Sequence, residues 1–135
     1  MKDYYREIYD FSYSRLIDVG DDDLQPLLLT SDVLITDYSS AEMDFSLTKR
    51  PVFQLCKDRV DYDRGFYINL EELPFPYAET DEELINNIEV FDSIKYQKEL
   101  NEFNRNIIGL KETGHASMSV VEWIFNKIDP TININ

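Results

Sequence analysis

The segment DVLITDYSSAE, residues 32–42, decides how this chain can fold. Its continuous apolar centre between Asp32 and Asp37 is typical of a strand that is buried on both faces, as in a parallel sheet. Residues 39–48 then predict a helix that stops before Pro51, because proline cannot continue a helix. A buried strand that turns directly into a helix indicates an α/β domain with right-handed crossover connections.

The remainder of the chain fits this fold class. Acidic residues at 21–23 favour a helix N-terminus, and apolar residues at helical spacing indicate further helices after residue 80. Residues 68–80 contain Pro74 and Pro76 and are expected to be extended and irregular. We predict strands at 15–19, 32–37 and 52–56, and a loop at 57–67. We predict helices at 3–13, 24–30 and 39–48. Three further helices are predicted: one from 80 or 81 through Phe91, one along the apolar stripe of Tyr96, Leu100, Phe103 and Ile107, and one from about 116 to 127.

Three strands form only a small sheet, so this sheet looks like part of a larger domain. A parallel sheet needs cover on both faces and along its edges. We therefore expect a missing N-terminal domain or a second copy of the chain to cover an edge. The side chains of Leu24, Leu27, Leu28 and Trp123 are assigned to the core.

The composition excludes several classes of function. A net charge of −14 over 135 residues repels nucleic acid and anionic lipid headgroups, so no nucleic-acid partner is expected. No apolar run reaches the roughly 18–20 residues of a membrane span. The single Cys56 excludes an intrachain disulfide and fits a reducing compartment, so we expect a cytoplasmic protein.

The first candidate binding site is the turn at residues 36–42. The first N–H groups of a helix have no internal partners, and together with the helix dipole they attract an anion. Ser39 and Ser40 add hydroxyl groups at the carboxyl end of a strand, where ligands bind in open α/β sheets. The spacing of Ser39 and Glu42 equally fits a capping box, in which the two side chains satisfy these N–H groups themselves. The pattern alone leaves both interpretations open.

The second candidate is Arg64 in the polar loop. Its guanidinium can clamp a phosphate through two parallel hydrogen bonds, and Gly65 permits a turn or a close backbone approach beside it. The same arginine can instead pair with Asp61 or Asp63 at the surface. A surface ion pair is the simpler interpretation of this arginine when it is considered alone.

The third candidate lies where the last predicted helix begins, at Gly114, His115 and Ser117. His115 is the one histidine of the sequence and has no visible catalytic partner. Ser117 can contact a phosphate or cap the helix, while Ser119 and Glu122 offer a competing capping box. Taken alone, this segment also favours a structural role.

Taken together, these segments closely resemble the CDP-glycerol glycerophosphotransferase family, which comprises teichoic-acid and capsule polymerases and primases. The resemblance centres on LLLTSDVLITDYSS at residues 27–40 and extends in the family's order from about Leu16 to Trp123. Further matching motifs are MDF at 43–45, KRPVF at 49–53, DRGFY at 63–67, EELPFP at 71–76, DEELI at 81–85 and GHAS at 114–117.

The resemblance implies a partial Rossmann-like parallel sheet with flanking helices, as in the C-terminal domain of GT-B glycosyltransferases. It implies one incomplete CDP-polyol-binding domain over residues 1–135, with C-terminal helices at about 81–128. The implied reaction moves a polyol-phosphate unit from CDP-glycerol or a related CDP-polyol to a polymeric or lipid-linked acceptor of teichoic acid or capsule, and releases CMP. The full enzyme would lie at the inner face of the cell membrane.

The resemblance also implies a site for the donor phosphates. It is composed of Asp37, Ser39, Ser40, Arg64, Gly114, His115 and Ser117. His115 stands where the family commonly has lysine, which weakens phosphate affinity at neutral pH. The family's first domain and a His-Pro motif of the second are absent, so we expect no catalytic residue here and no activity of this chain alone. No cofactor and no protein-held metal are expected. The alternative is a non-catalytic module that binds a nucleotide or a partner chain.

Overall fold

The computed structural model of this protein describes residues 23–63, 65, 67–111 and 114–128. The helix predicted at 3–13 and the strand predicted at 15–19 lie outside these residues. The described elements are α1 (Leu24–Thr30), β1 (Leu34–Thr36), α2 (Ala41–Ser46), β2 (Val52–Leu55), two 3₁₀ turns (Arg59–Asp61 and Leu70–Glu72), β3 (Tyr77–Ala78), α3 (Asp81–Glu89), α4 (Ser93–Phe103), a π-helical turn (Asn104–Ile108) and α5 (Ala116–Ile128).

Within the described residues, β2 is the central strand of a three-stranded parallel sheet with the order β1-β2-β3. Val52 lies opposite Leu34 of β1, and Gln54 lies opposite Tyr77 of β3. Val52, Phe53 and Gln54 are all buried, as the sequence predicts for a strand covered on both faces. The parallel sheet with flanking helices confirms the predicted α/β fold class.

β1 is less buried than its sequence predicts. Ile35 is 50% exposed, although the apolar run of this strand indicated burial on both faces. Leu34 packs against the core, whereas Ile35 points to the opposite face of the sheet because side chains alternate along a strand. The exposure of Ile35 shows that the prediction of burial on both faces was wrong for β1. Within the described residues β1 pairs only with β2.

β3 lies within residues 68–80, which we predicted to be irregular. The N–H of Gln54 donates to the carbonyl of Pro76 at 2.9 Å, and the N–H of Cys56 donates to the carbonyl of Ala78 at 2.7 Å. Pro76 therefore enters the ladder as an acceptor, and the N–H that proline lacks is not required. The prediction of irregular structure, which rested on Pro74 and Pro76, therefore missed a short strand.

The main core joins α2, β2 and α4. Phe45, Val52 and Leu100 are each 0% exposed, and Tyr96 and Phe103 of the predicted stripe are also buried. The hydroxyl of Tyr96 donates to the backbone carbonyl of Arg50 at 3.0 Å, which holds α4 against the chain just before β2 begins. Burial raises the pKa of Tyr96 to about 12, so this donor keeps its proton.

Helix caps explain where α3 and α4 begin. Thr80 accepts a hydrogen bond from the N–H of Glu83 at 3.2 Å, as expected for the predicted start of α3. The carboxylate of Asp92 accepts from the N–H groups of Ile94 and Lys95 in the first turn of α4. The predicted stripe fails at Ile107, which is 58% exposed, because Asn104–Ile108 is π-helical and its wider turn shifts the side chains.

Two helices expose apolar side chains that we assigned to the core. α5 begins and ends close to its predicted bounds, yet Trp123 is 62% exposed. In α1, Leu28 is buried whereas Leu24 is 52% exposed. Helical spacing identifies an apolar face, not the surface that covers it, so both core assignments were wrong for the described structure. No helix in this part of the chain is both long enough and apolar enough to cross a membrane.

A polar pair is buried between α2 and β2. Gln54 is 0% exposed and Glu42 is 6% exposed. The Nε2 of Gln54 donates to the Oε2 of Glu42 at 2.7 Å. Burial raises the pKa of Glu42 and outweighs the opposite effect of the Gln54 hydrogen bond. The folded protein therefore holds a proton on Glu42 up to a higher pH than the unfolded chain does.

We expect Leu100→Ala to lower the free energy of unfolding by about 2–5 kcal/mol, because it removes a fully buried side chain and leaves a cavity. Ile94→Ala is the matched control, since Ile94 lies in the same helix and is 83% exposed. The control should change the free energy by less than about 1 kcal/mol. Urea unfolding followed by circular dichroism measures both, and equal losses would contradict the described core.

We expect the stability of the wild-type protein to contain a component that falls as pH rises from 4.5, the ordinary pKa of Glu42, through its raised folded value. The folded state binds more protons than the unfolded state in this window, so raising the pH favours unfolding. Glu42→Gln removes this component and keeps the shape of the side chain. Urea unfolding from about pH 4 to pH 8 should show the variant gaining stability relative to wild type as pH rises. If the stabilities of wild type and variant changed with pH in parallel, the raised pKa of Glu42 would be contradicted.

Candidate functional site

The turn between β1 and α2 contains a strained residue, Tyr38. Its φ of 33° lies in the left-handed region, which residues other than glycine rarely adopt. The turn places Ser39 and Ser40 at the carboxyl end of β1, directly before α2 begins at Ala41. Strained backbone is concentrated at binding and catalytic sites, so this turn is a candidate functional site.

The capping box that the sequence allowed as an alternative does not form in this turn. Ser39 Oγ accepts from the N–H of Ala41 at 3.3 Å, and the N–H of Glu42 donates to the backbone carbonyl of Ser39 at 3.1 Å. The carboxylate of Glu42 accepts from Gln54 instead of returning to the turn. Ser40 is the N-cap residue and its side chain makes no capping hydrogen bond. The two hydroxyl groups therefore keep hydrogen atoms that they can donate to a ligand.

A cavity of about 540 Å³ opens beside the two serines. Aromatic and aliphatic side chains form most of its wall, and the buried Glu42–Gln54 pair forms part of the rest. Its volume lies in the range that holds a small organic ligand. The lining residues are Tyr38, Ser39, Ser40, Glu42, Met43, Gln54, Tyr62, Gly65, Tyr67, Ile68, Leu70, Leu73 and Ile108.

One wall of this cavity belongs to the segment after β2, which Arg59 fastens to the sheet. The guanidinium of Arg59 donates to Glu79 at 3.1 Å, to the hydroxyl of Tyr77 at 3.2 Å and to Glu71. These bonds hold the loop next to β3. The described residues of the loop predicted at 57–67 contain one 3₁₀ turn and no strand, and Tyr62, Gly65 and Tyr67 among them line the cavity from one side.

Tyr38 and Tyr62 stack where the loop meets the serine turn. Their ring centroids are 4.0 Å apart and the ring planes differ by 23°. Burial raises the pKa of the Tyr38 hydroxyl well above its ordinary value, and burial also raises the pKa of the Cys56 thiol. Both groups keep their protons at neutral pH, so Cys56 is a core residue and not an activated nucleophile.

A second hollow, of about 520 Å³, shares Tyr38, Ser39 and Tyr62 with the first and is acidic. Its wall contains four carboxylates, Asp37, Asp58, Asp61 and Asp63, together with Ser39. These carboxylates repel an anion, so a phosphate group is better accommodated on the cavity side of the serines. Within the described residues, no group of three His, Cys, Asp or Glu side chains is placed to hold a metal ion.

The structure brings together some of the predicted site residues. Ser39 and Ser40 line the cavity, and Asp37 lines the adjoining acidic hollow. Arg64 lies outside the described residues, although its neighbour Gly65 lines the cavity with a φ of 70°. The participation of Arg64 in the site stays a prediction.

The predicted residues at the start of α5 do not line either hollow. Gly114, His115 and Ser117 are exposed. α5 begins at Ala116, so Ser117 and Ser119 lie inside the helix instead of capping it, and the hydroxyl of Ser119 donates to the carbonyl of His115 at 3.2 Å. Phosphate contact by this segment stays a prediction.

Sequence reasoning missed several residues of the cavity. Gln54 carried a usable signal, because it is a polar residue in the middle of the apolar run VFQLC at 52–56. Such a residue in a buried strand needs a polar partner, and Glu42 supplies it. Tyr62 and Ile108 gave no comparable signal, since they come from a loop and from a π-helical turn that are distant in sequence.

The sequence matches a known protein family over most of its length. Residues 3–126 match the model of the family described as CDP-Glycerol:Poly(glycerophosphate) glycerophosphotransferase. The teichoic acid poly(glycerol phosphate) polymerase of Staphylococcus epidermidis is 35% identical over 119 residues, which cover 83% of this chain and 16% of that polymerase. The chain thus spans about a sixth of the length of this relative.

Solved structures show a similar fold. A structure of the wall teichoic acid polymerase TagF is 32% identical, with a TM-score of 0.71, and the match covers 97% of this chain and 34% of TagF. A TagF variant soaked with CDPG matches at 31% identity with a TM-score of 0.70, over 96% of this chain and 33% of the variant. These matches confirm the predicted partial Rossmann-like parallel sheet with flanking helices, as in the C-terminal domain of GT-B glycosyltransferases. The chain belongs to the CDP-glycerol:poly(glycerophosphate) glycerophosphotransferase family.

Proposed function

We propose that this chain forms the donor-binding part of a polyol-phosphate transferase of teichoic-acid or capsule synthesis. Its ligand would be CDP-glycerol or a related CDP-polyol. The observation that carries the proposal is the cavity beside Ser39 and Ser40, at the carboxyl end of a parallel strand. The complete enzyme would work in the cytoplasm at the inner face of the cell membrane, on a polymeric or lipid-linked acceptor.

The two serine hydroxyls are the proposed contacts of the donor phosphates. Ser39 Oγ uses a lone pair to accept from the N–H of Ala41, which leaves its hydrogen for a phosphate oxygen. Ser40 makes no capping hydrogen bond with its side chain.

The remaining predicted residues have supporting roles in this proposal. Arg64 would add positive charge at the phosphates, next to the cavity residue Gly65. His115 would contribute with Gly114 and Ser117 from the start of α5, and Asp37 would lie near the pyrophosphate. The described wall of the cavity contains no lysine, arginine or histidine, so Arg64 matters most for charge balance.

The proposed reaction is a phosphoryl transfer. The acceptor hydroxyl oxygen forms a bond to the phosphorus that carries the polyol, and the bond from that phosphorus to the bridging oxygen breaks. CMP leaves with the bridging oxygen and its electron pair, and the acceptor proton passes to a base that we place outside residues 1–135. Hydrogen bonds to the leaving phosphate lower the barrier, because negative charge develops there in the transition state.

A non-catalytic module that binds a nucleotide or a partner chain is the second candidate. The lack of described cationic side chains in the cavity wall favours it, since catalysis of phosphoryl transfer normally relies on positive groups. Both candidates predict ligand binding at the serine turn. They differ in whether the longer protein turns over CDP-glycerol.

We expect CDP-glycerol, CMP and inorganic phosphate to shift the NMR amide signals of residues 39–42. Replacing both serines, Ser39→Ala with Ser40→Ala, should weaken phosphate binding roughly tenfold, because two hydroxyl donors are lost. Ser93→Ala is the control, since Ser93 is an exposed serine that does not line the cavity. If none of the three compounds moves these amides, the proposed phosphate site is wrong.

We also expect the 135-residue chain alone to release no CMP from CDP-glycerol, because the groups that deprotonate the acceptor would lie outside it. An assay of CMP release by chromatography, with teichoic-acid acceptor present, measures this directly. Binding of CDP-glycerol in the same sample serves as the control for a folded, competent site. Measurable turnover would contradict the expectation that the groups that deprotonate the acceptor lie outside this chain.

A further inference from the structure

The Glu42–Gln54 pair has an unused hydrogen-bonding capacity. Gln54 is fully buried, and its Oε1 atom has no hydrogen-bond partner among the described residues. Its Nε2 atom is already used, because it donates to Glu42 at 2.7 Å. Both residues line the cavity beside the serine turn. We call Glu42 and Gln54 the acceptor pair.

The chemistry of the acceptor pair fixes what it can bind. The Nε2 of Gln54 donates to the Oε2 of Glu42, so the amide of Gln54 is held with its nitrogen towards Glu42 and its oxygen away from it. The pair therefore offers acceptors to a ligand: the second lone pairs of the carboxylate and the Oε1 of Gln54. Buried acceptors without partners are rare and costly, and they occur where a ligand or an ordered water completes them.

The surroundings of the pair select a neutral ligand group. The wall beside it is built from Met43, Ile68, Leu70, Leu73 and Ile108. An anionic group is disfavoured in this apolar setting, because burying a charge without a cationic partner is costly. A hydroxyl group carries the required hydrogen-bond donor without a charge, and it is small enough to enter next to buried side chains.

We infer that the acceptor pair binds a hydroxyl group of the polyol or sugar class, carried by a phosphate ester whose phosphate lies at Ser39 and Ser40. The inference rests on the proposed function and adds to it the residues that recognise the uncharged part of the ligand. Glu42 makes the contact from α2, and Gln54 orients its carboxylate from β2 and supplies a second acceptor. Two sources of hydroxyl groups fit this chemistry, the polyol and the ribose of a nucleotide.

Two pairs of ligands distinguish these sources. Glycerol phosphate and propyl phosphate differ only in the polyol hydroxyls, whereas CMP and dideoxy-CMP differ only in the ribose hydroxyls. Calorimetry on the full 135-residue chain should show that one hydroxylated compound binds roughly tenfold more tightly than its partner. The pair that shows the preference identifies the source. No preference in either pair would overturn the inference.

Variants of the acceptor pair test whether it causes the preference. Gln54→Met removes the side-chain amide, with its NH₂ group and its carbonyl oxygen, at similar volume. It should reduce the preference for the hydroxylated compound to less than about threefold. Inorganic phosphate should bind Gln54→Met as it binds wild type. If the preference persists in this variant, the inference is wrong although the phosphate site stands. If inorganic phosphate and all four esters leave the amides of Ser39 and Ser40 unmoved, the proposed function fails first.

A second variant covers the case in which Gln54→Met does not fold. Glu42→Gln keeps the shape of the side chain and a hydrogen bond to Gln54, but removes the charge on the stronger acceptor. It should lower the preference for the hydroxylated ester without changing phosphate affinity. In the wild-type protein, the same ester should also shift the NMR signals of the Gln54 side-chain amide, and unshifted signals would contradict contact with the acceptor pair.

Discussion

The pairing of β2 with a parallel neighbour on each side is the constraint on which the rest of the structure depends. Its alternate side chains divide the helices between two packing groups: Val52 faces Phe45 and Leu100, and Phe53 faces Leu84. Parallel strands place their carboxyl ends at one edge of the sheet. The serine turn follows β1 at that edge, and the loop after β2 closes the cavity beside it.

The same strand carries the least expected residue of the core. An apolar side chain at position 54 would satisfy β2 equally well as a strand, and Leu or Val would pack without a polar partner. The chain instead buries an amide and a carboxyl group together. Exceptions to the local rules of packing tend to occur at functional sites. Here the exception, a buried polar pair, lines a cavity that the strained Tyr38 also lines.

Local signals made part of this structure predictable. The apolar run of β2 and the Thr80 cap of α3 are contained in a few adjacent residues, and the serine turn followed from a strand that runs into a helix. The contact between Glu42 and Gln54 was not predictable, because it joins two elements, and the spacing of Ser39 and Glu42 also fitted a capping box. β3 was missed because prolines discourage strands, while the exposure of Ile35 and Trp123 depends on what surrounds them, which periodicity does not report.

The acidic hollow makes the approach of an anionic ligand to the serine turn depend on the salt in the surrounding solvent. Four carboxylates stand beside the serine turn, on a chain whose net charge is −14. An approaching anion meets a repulsive field that extends about 8 Å at physiological ionic strength and further in dilute buffer. Added salt shortens that field, so the association rate of a phosphate ester should rise with ionic strength, opposite to the dependence of phosphate sites on basic surfaces. The rate of ligand capture is thus controlled by the electrolyte around the turn as well as by the turn itself.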